Sequence, residues 1–166
     1  MGQYDRAFAT FTEYSTMFGL THDIDSYNAL LAASARHKYP RVLPLLQILQ
    51  DMETQGIAPN SVSFSYLIDV MSESGDLSSL SKTLQMMDDR GVSARPRSLR
   101  RAAYRAVELD RDDLVQELKK AMASKKTPFF TPRHPDNLHH FFKVYLDKKM
   151  SERDKHRSLS GGHEEM

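Results

Sequence analysis

The amino-acid sequence predicts an all-α fold, a solenoid of helical hairpins. Three segments that each open with a glycine and an apolar residue align with one another; they start at Gly19, Gly56 and Gly91, which are 37 and 35 residues apart. Between these glycines, apolar residues recur twice at the spacing of an amphipathic helix, separated by a short polar break. A near-constant period filled by two helices is typical of an array in which each unit packs on its neighbours.

Residues 1–23 are predicted to form a partial repeat that contains only a second helix. Ala7, Phe11 and Tyr14 are spaced by four and three residues, and no first helix precedes them. Phe8 belongs to the same apolar group, for which packing in the core is expected. A half unit at the start of the sequence is what we expect if the chain is a fragment of a longer repeat array.

Two complete units follow, at 24–60 and 61–95. Asp76 is expected to cap the second helix of the later unit, and Pro44 fits the first turn of a helix that begins near Val42. The apolar faces predicted for the first helices are Tyr27, Leu30 and Leu31, then Phe64, Leu67, Ile68 and Met71. Those predicted for the second helices are Leu45, Ile48, Leu49 and Met52, then Leu77, Leu80, Leu84 and Met87.

The remaining residues divide into four segments. A degenerate unit at 96–122 starts with Pro96, which suits the first turn of a helix. A linker at 123–135 contains three prolines and no regular pattern. An amphipathic helix is expected at 136–150, and a flexible polar tail at 151–166. The apolar stripe of that helix is formed by Leu138, Phe141, Phe142, Tyr145 and Leu146.

Charge is nearly balanced overall but unevenly distributed along the chain. The formal net charge is +1, yet residues 1–95 hold 7 basic and 11 acidic residues, whereas residues 96–166 hold 16 and 11. A dense basic group lies at the start of the second half and is a candidate anion-binding surface; the alternative is a solvated helix face. It consists of Arg95, Arg97, Arg100, Arg101 and Arg105.

Composition and motifs exclude several classes of protein. With no cysteine, the chain has neither disulfides nor thiolate metal sites. No apolar stretch approaches a membrane span, and no targeting peptide is visible. Phosphate-binding loops, hydrolase motifs and metalloprotease motifs are missing, so we expect no catalysis, no cofactor and no small-molecule substrate. The cluster His134, Asp136, His139 and His140 is a poor metal site, because adjacent residues point about 100° apart on a helix.

The repeats resemble a known family in their residues. The segments SYNALL, QDMETQGIAPNSVSFSYLID and SGDLSSLSKTLQMMDDRGVSARP are similar to the pentatricopeptide repeat, strongly over 24–95 and partially over 1–23 and 96–122. The resemblance implies a right-handed α-solenoid that binds single-stranded RNA in mitochondria or, alternatively, chloroplasts. It also implies that first helices line the RNA surface and that each repeat reads one base.

In such repeats, a residue near the start of the first helix meets the edge of a base, together with the residue that ends the unit. Carried over to this sequence, the pairs are Asn28 with Asn60 and Ser65 with Arg95. Two asparagine amides suit a pyrimidine, cytosine or uracil. Arginine replaces the usual asparagine or aspartate in the second pair, so Arg95 is expected to bind phosphate.

A third pair would begin at Arg100 but has no recognisable closing residue. Val62 and Arg97 occupy the position that packs against the base plane in the family, where an apolar residue is usual. Arg97 and Arg100 are therefore expected to neutralise RNA phosphates.

So few reading pairs, at roughly 1 to 3 kcal/mol per base, do not select one transcript alone. The chain is therefore either part of a longer array or a subunit of a large organellar ribonucleoprotein, such as the mitochondrial ribosome, in contact with rRNA and other proteins. In the second hypothesis the chain is a scaffold that binds mainly protein, and Phe141, Phe142 and Tyr145 form the docking face. The same terminal helix could instead cover the last repeat.

Overall fold

The computed structural model describes residues 3–37, 41–123 and 146–160, and these residues form helices without any strand. The prediction of an all-α solenoid is confirmed. The helices are α1 (Gln3–Phe18), α2 (Ile24–Ala35), α3 (Val42–Thr54), α4 (Ser61–Ser74), α5 (Leu77–Asp89), α6 (Pro96–Glu108), α7 (Asp112–Ala123) and α8 (Asp147–Ser160).

Consecutive helices pair as hairpins, and the hairpins stack. Helix α2 packs on α3, α4 on α5, and α6 on α7. The first helices also pack on one another, α2 on α4 and α4 on α6, while the second helices α5 and α7 are in contact. The first helices therefore form one continuous layer, which is the arrangement that a solenoid requires.

The buried residues of the hydrophobic core recur at the period of the sequence repeat. Tyr27, Phe64 and Leu99, which occupy equivalent positions of the three first helices, are all at most 1% exposed. Every apolar residue predicted for the faces of α2 to α5 is buried. Burial of each such side chain contributes roughly 1.5 to 3 kcal/mol, so apolar packing between neighbouring units is the main source of stability.

Glycine ends the second helices because the chain there turns through a left-handed conformation. Gly19, Gly56 and Gly91 have φ of 60°, 75° and 64°. A side chain is disfavoured at such angles, which explains why the glycine recurs with the period of the array.

Polar residues and prolines fix the helix starts as expected. The Asp76 carboxylate accepts from the backbone N–H of Ser79 at 3.0 Å and caps α5. Pro96 is the first residue of α6, and Pro44 is the third residue of α3. Neither proline removes a hydrogen bond, because the first N–H groups of a helix have no intrahelical acceptor.

Helix α1 differs from the expectation in its apolar residues. Phe11 packs as predicted, with its ring stacked 3.5 Å from that of His22. Phe8 and Tyr14, which were also expected in the core, are 48% and 51% exposed. The prediction is wrong for these two residues, because the packing of α1 against α2 leaves both side chains about half exposed.

The C-terminal segment also differs from the expectation. Helix α8 runs from Asp147 to Ser160, so residues 151–160, for which a flexible tail was predicted, are helical. The predicted stripe residues Leu138, Phe141, Phe142 and Tyr145 lie outside the described residues, as do the histidines of the weak metal cluster. Leu146, the last residue of the stripe, is fully buried.

Ion pairs hold α8 against the last hairpin. The Arg153 guanidinium donates to both carboxylate oxygens of Asp112 at 2.7 and 3.0 Å, and Arg157 donates to Asp110 at 2.8 Å. At the other end of α8, Lys119 of α7 donates to Asp147 at 3.1 Å. Helix α8 therefore runs antiparallel to α7, as the first helix of a following unit would.

Asp110 shows how this contact is built into the turn between α6 and α7. Its φ of 57° is left-handed, and the equivalent residue 35 positions earlier is Gly75, with φ of 76°. Aspartate tolerates this conformation better than most residues. Here its carboxylate also binds Arg157, so the replacement of glycine adds an attachment point for α8.

Two further observations apply to the described ranges alone. None of their helices combines the length and the apolar content that a membrane span needs. Nor do they contain a group of acidic and histidine side chains arranged to hold a metal ion.

We predict that Arg153→Gln detaches α8 and leaves the hairpins folded. The Arg153 side chain is only 15% exposed and bridges Asp110 and Asp112, so its removal should cost about 1 kcal/mol, the upper range for an ion-pair network near the surface. Hydrogen exchange should show faster amide exchange in α8 and unchanged exchange in α4. Lys155→Gln, on an exposed position of the same helix, is the control.

The same contact gives a pH dependence with a defined sign. The hydrogen bond from Arg153 lowers the pKa of Asp112 below its ordinary value of 3.8. A carboxylate whose pKa is lowered by folding stabilises the folded state above its unfolded pKa, and this contribution is lost as pH falls through the lower value. Docking of α8 should therefore be unchanged down to about pH 4. Loss of α8 protection at pH 6 would contradict this account.

Candidate nucleic-acid interface

The predicted RNA-binding residues lie near the beginnings of the first helices. Asn60 and Arg95 are the N-cap residues of α4 and α6. Asn28 lies in the second turn of α2, and Ser65 in the second turn of α4. Because α2 packs on α4 and α4 on α6, the start of each first helix lies beside the end of its own repeat unit.

The structure brings the first predicted pair into direct contact. The Asn28 side-chain Nδ2 donates to Asn60 Oδ1 at 3.3 Å. Ser63 connects the two, since its hydroxyl donates to Asn28 Oδ1 at 2.7 Å and accepts from the Asn60 backbone N–H at 3.1 Å. Asn28 is 8% exposed and Ser63 is fully buried. The pair is therefore part of a closed polar network between α2 and α4.

This network determines which polar atoms remain for a ligand. Asn60 Oδ1 also accepts from the backbone N–H groups of Val62 and Ser63, at 3.0 and 3.2 Å. The acceptor oxygens of both asparagines are thus occupied by protein donors. What remains is the Asn60 amide NH₂, the second N–H of Asn28 and the second lone pair of Asn28 Oδ1, so the pair offers more hydrogen-bond donors than acceptors. The sequence had indicated both donors and acceptors at this position.

The second pair is also brought together, but through the backbone of its second member. The Ser65 hydroxyl accepts from the Arg95 N–H at 2.8 Å and donates to the Ser61 carbonyl at 2.6 Å. Ser65 is 2% exposed. Its only proton is already donated, so its hydroxyl ties α4 to the start of α6, and the exposed group at this position is the Arg95 side chain.

The arginines of the basic group fall into two sets. Arg101 pairs with Glu73 of α4 at 3.3 Å, and Arg105 pairs with Glu108 at 3.1 Å. Arg95, Arg97 and Arg100 are exposed, and no carboxylate lies within 4.0 Å of them in the described parts of the chain. These three arginines, which form no ion pair among the described residues, are those that the sequence assigned to phosphate.

A half-buried carboxylate lies beside these arginines. Burial at the contact between α4 and α6 raises the pKa of Asp69 above its ordinary value, against the opposite effect of a hydrogen bond from Ser98 and the positive charges of Arg101, Arg97 and Arg95. Asp69 is one helical turn before Glu73 on α4. The two acidic residues form a row that faces the arginines of α6.

Sequence reasoning missed Ser63 and Asp69. The spacing Asn60-x-x-Ser63 could have identified Ser63. A polar N-cap followed three residues later by a polar side chain is the pattern of a capping box. The structure contains that box at the start of α4. No pattern identifies Asp69, whose importance comes from a neighbouring helix. Of the two residues expected beside a base plane, Val62 is half-buried and Arg97 is exposed.

Comparison with known proteins gives a consistent result. The family model of the pentatricopeptide repeat domain matches residues 16–74 and 47–93. A mitochondrial pentatricopeptide repeat-containing protein of Arabidopsis thaliana is 33% identical over 119 residues, which is 70% of this chain. The same region is 19% of that relative, so the chain spans about a fifth of the length of the protein it matches.

We predict that Ser63→Ala destabilises the fold by about 1 to 2 kcal/mol. The substitution leaves Asn28 Oδ1 and the Asn60 N–H without the hydroxyl that satisfies both, and a buried polar group left unpaired costs that much. Urea unfolding followed by circular dichroism measures the change. Ser78→Ala, at an exposed position of α5, should change the free energy of unfolding by less than about 0.5 kcal/mol.

Proposed function

We propose that this chain, which belongs to the pentatricopeptide repeat family, binds single-stranded RNA in organellar gene expression without catalysing a reaction. One observation carries the proposal: the members of two predicted reading pairs meet between consecutive first helices, next to three exposed arginines that form no ion pair among the described residues. Base-edge contacts and phosphate contacts are the two components of single-strand recognition, and here they lie side by side.

In this proposal the base is recognised at the first pair. Asn28 and Asn60 hold each other in position, so little side-chain entropy is lost when a base binds. Their free amide groups are donors, which suits a base edge that presents acceptors. A pyrimidine fits this requirement through its O2 atom, together with N3 of cytosine or O4 of uracil. The free donors are thus compatible with the cytosine or uracil that the family resemblance favours.

Arg95, Arg97 and Arg100 bind the phosphates that follow the base along the strand. Arg97 lies on the first turn of α6, and Arg100 lies one turn further. Guanidinium groups suit this role because they remain charged and bind phosphate oxygens with two N–H groups. Affinity should fall with salt, by a slope of about 0.7 in log–log units for each phosphate neutralised.

We place this activity in mitochondria. The Arabidopsis thaliana relative carries the word mitochondrial in its name, and the family acts mainly on organellar RNA. RNA processing, stability and translation are the steps in which a non-catalytic RNA-binding array would take part. Two pairs alone give limited base discrimination, so selection of one transcript requires other RNA-binding units or proteins in the same particle.

A scaffold role that relies mainly on protein contacts is the second candidate, and one surface favours it. Tyr14, Met17 and Phe18 of α1 are 51%, 74% and 65% exposed. Their equivalents 37 residues later, at the end of α3 and directly after it, are the polar residues Asp51, Thr54 and Gln55. Apolar side chains that are exposed where the next repeat has polar residues are typical of protein-binding surfaces.

We expect that Arg97→Glu with Arg100→Glu weakens binding to a fluorescent single-stranded oligo(U) probe by more than about tenfold, because two phosphate attractions become repulsions. Fluorescence anisotropy measures the binding, and the helical circular-dichroism signal should not change. Lys82→Glu with Lys155→Glu, which reverses the same number of charges on α5 and α8, is the matched control. If the wild-type chain binds neither oligo(U) nor oligo(C), or the arginine variant binds as well as the wild type, the RNA assignment fails.

A further inference from the structure

Two acidic residues of α4 lie along the edge of the arginine group, and the proposed RNA site does not use them. Asp69 and Glu73 are one turn apart on α4, and Arg97 and Arg101 are one turn apart on α6. Glu73 and Arg101 form an ion pair of 3.3 Å, with the two side chains 52% and 53% exposed. The two rows therefore run along each other where α4 packs on α6.

The arginines differ in whether they form an ion pair with this acidic row. Arg100 and Arg101 are consecutive, so their side chains leave α6 about 100° apart. Arg101 binds Glu73 of α4, whereas Arg100 forms no ion pair with a carboxylate among the described residues. A phosphate that approaches Arg101 meets the Glu73 carboxylate, whereas one that approaches Arg100 does not.

We propose that Asp69 and Glu73 form an acidic edge that disfavours the binding of RNA phosphates at Arg101 and leaves Arg95, Arg97 and Arg100 as the phosphate-binding arginines. The inference rests on the RNA-binding function proposed above and assigns a second group of residues to it. The carboxylates do not touch RNA; they act by repulsion and, in the case of Glu73, by neutralising Arg101. They thus determine the path of the strand across α6 while lowering its affinity.

Elementary electrostatics supports this role. Like charges in partly desolvated positions repel each other appreciably over several ångströms, and salt screens the effect only beyond about 8 Å. Asp69 is half-buried beside Ser98, and its charge interacts with those of Arg101, Arg97 and Arg95. A charge held beside the site reduces its positive potential even without a direct contact to phosphate.

The test compares Glu73→Gln, Arg101→Ala and the double variant in binding to the oligo(U) probe. Glu73→Gln frees Arg101, so we expect binding about threefold tighter and a salt slope steeper by up to about 0.7, one additional phosphate. Arg101→Ala alone should change affinity by less than about twofold, since its charge is already neutralised. The gain should disappear in the double variant, because it acts through Arg101.

Asp69→Asn provides a second measurement. An asparagine keeps an acceptor for the Ser98 hydroxyl, so the fold should be retained, and we expect binding about twofold tighter whether or not Arg101 is present. Glu13→Gln, which removes one exposed acidic charge from α1, is the control and should leave the dissociation constant unchanged.

The outcomes separate the two proposals. Binding of the wild-type chain tests the RNA function itself, and failure there removes both. If the wild type binds but Glu73→Gln binds equally or more weakly, the acidic edge is wrong and the RNA function stands. Equal losses in Arg101→Ala and Arg100→Ala would likewise overturn the acidic edge, since they would show that phosphate reaches Arg101.

Discussion

The structure depends on one recurring junction, the place where the start of a first helix meets the end of its unit. At the first junction, Ser63 joins Asn28 to Asn60, and at the second, the Ser65 hydroxyl binds the Arg95 N–H. Apolar packing, with Tyr27, Phe64 and Leu99 at equivalent positions, supplies most of the stability, but the hydrophobic effect is not directional. Hydrogen bonds are directional, so the polar junctions help to fix the position of each first helix along its neighbour. The positions of the exposed arginines and acidic residues all follow from that displacement.

Much of the fold was predictable because it is local and repeated. The glycine spacing, the apolar faces of α2 to α5 and the cap at Asp76 are each visible within a few residues of sequence, and helix formation follows from them directly. Helix α8 illustrates the opposite case. Residues 151–160 have no apolar face, so periodicity predicted a tail, and the helix is held instead by Arg153 and Arg157 through bonds to residues 41 and 47 positions earlier. Pairings at such separations leave no trace in a single sequence.

The candidate site shows the same division between local and distant information. The pairs Asn28 with Asn60 and Ser65 with Arg95 were identified from family resemblance, and their members do lie together. What the sequence could not give is how the hydrogen bonds are shared. A serine three residues beyond Asn60 donates to the acceptor oxygen of Asn28, and this reduces the accepting capacity of an amide that can both donate and accept. The chemical character of a polar side chain thus depends on which partners have already bound it.

In the proposed function the same junctions serve both stability and base recognition, and this double use restricts how the site can change. A substitution at Asn60 that altered the base preference would also remove the cap of α4, because its side-chain oxygen accepts from Val62 and Ser63. The arginines are free of that restriction, since Arg97 and Arg100 are exposed and support no helix end. The strength of phosphate binding can therefore change with little effect on the fold, through these arginines or through the carboxylates of Asp69 and Glu73. Base preference, in contrast, is coupled to the stability of the helix that presents it.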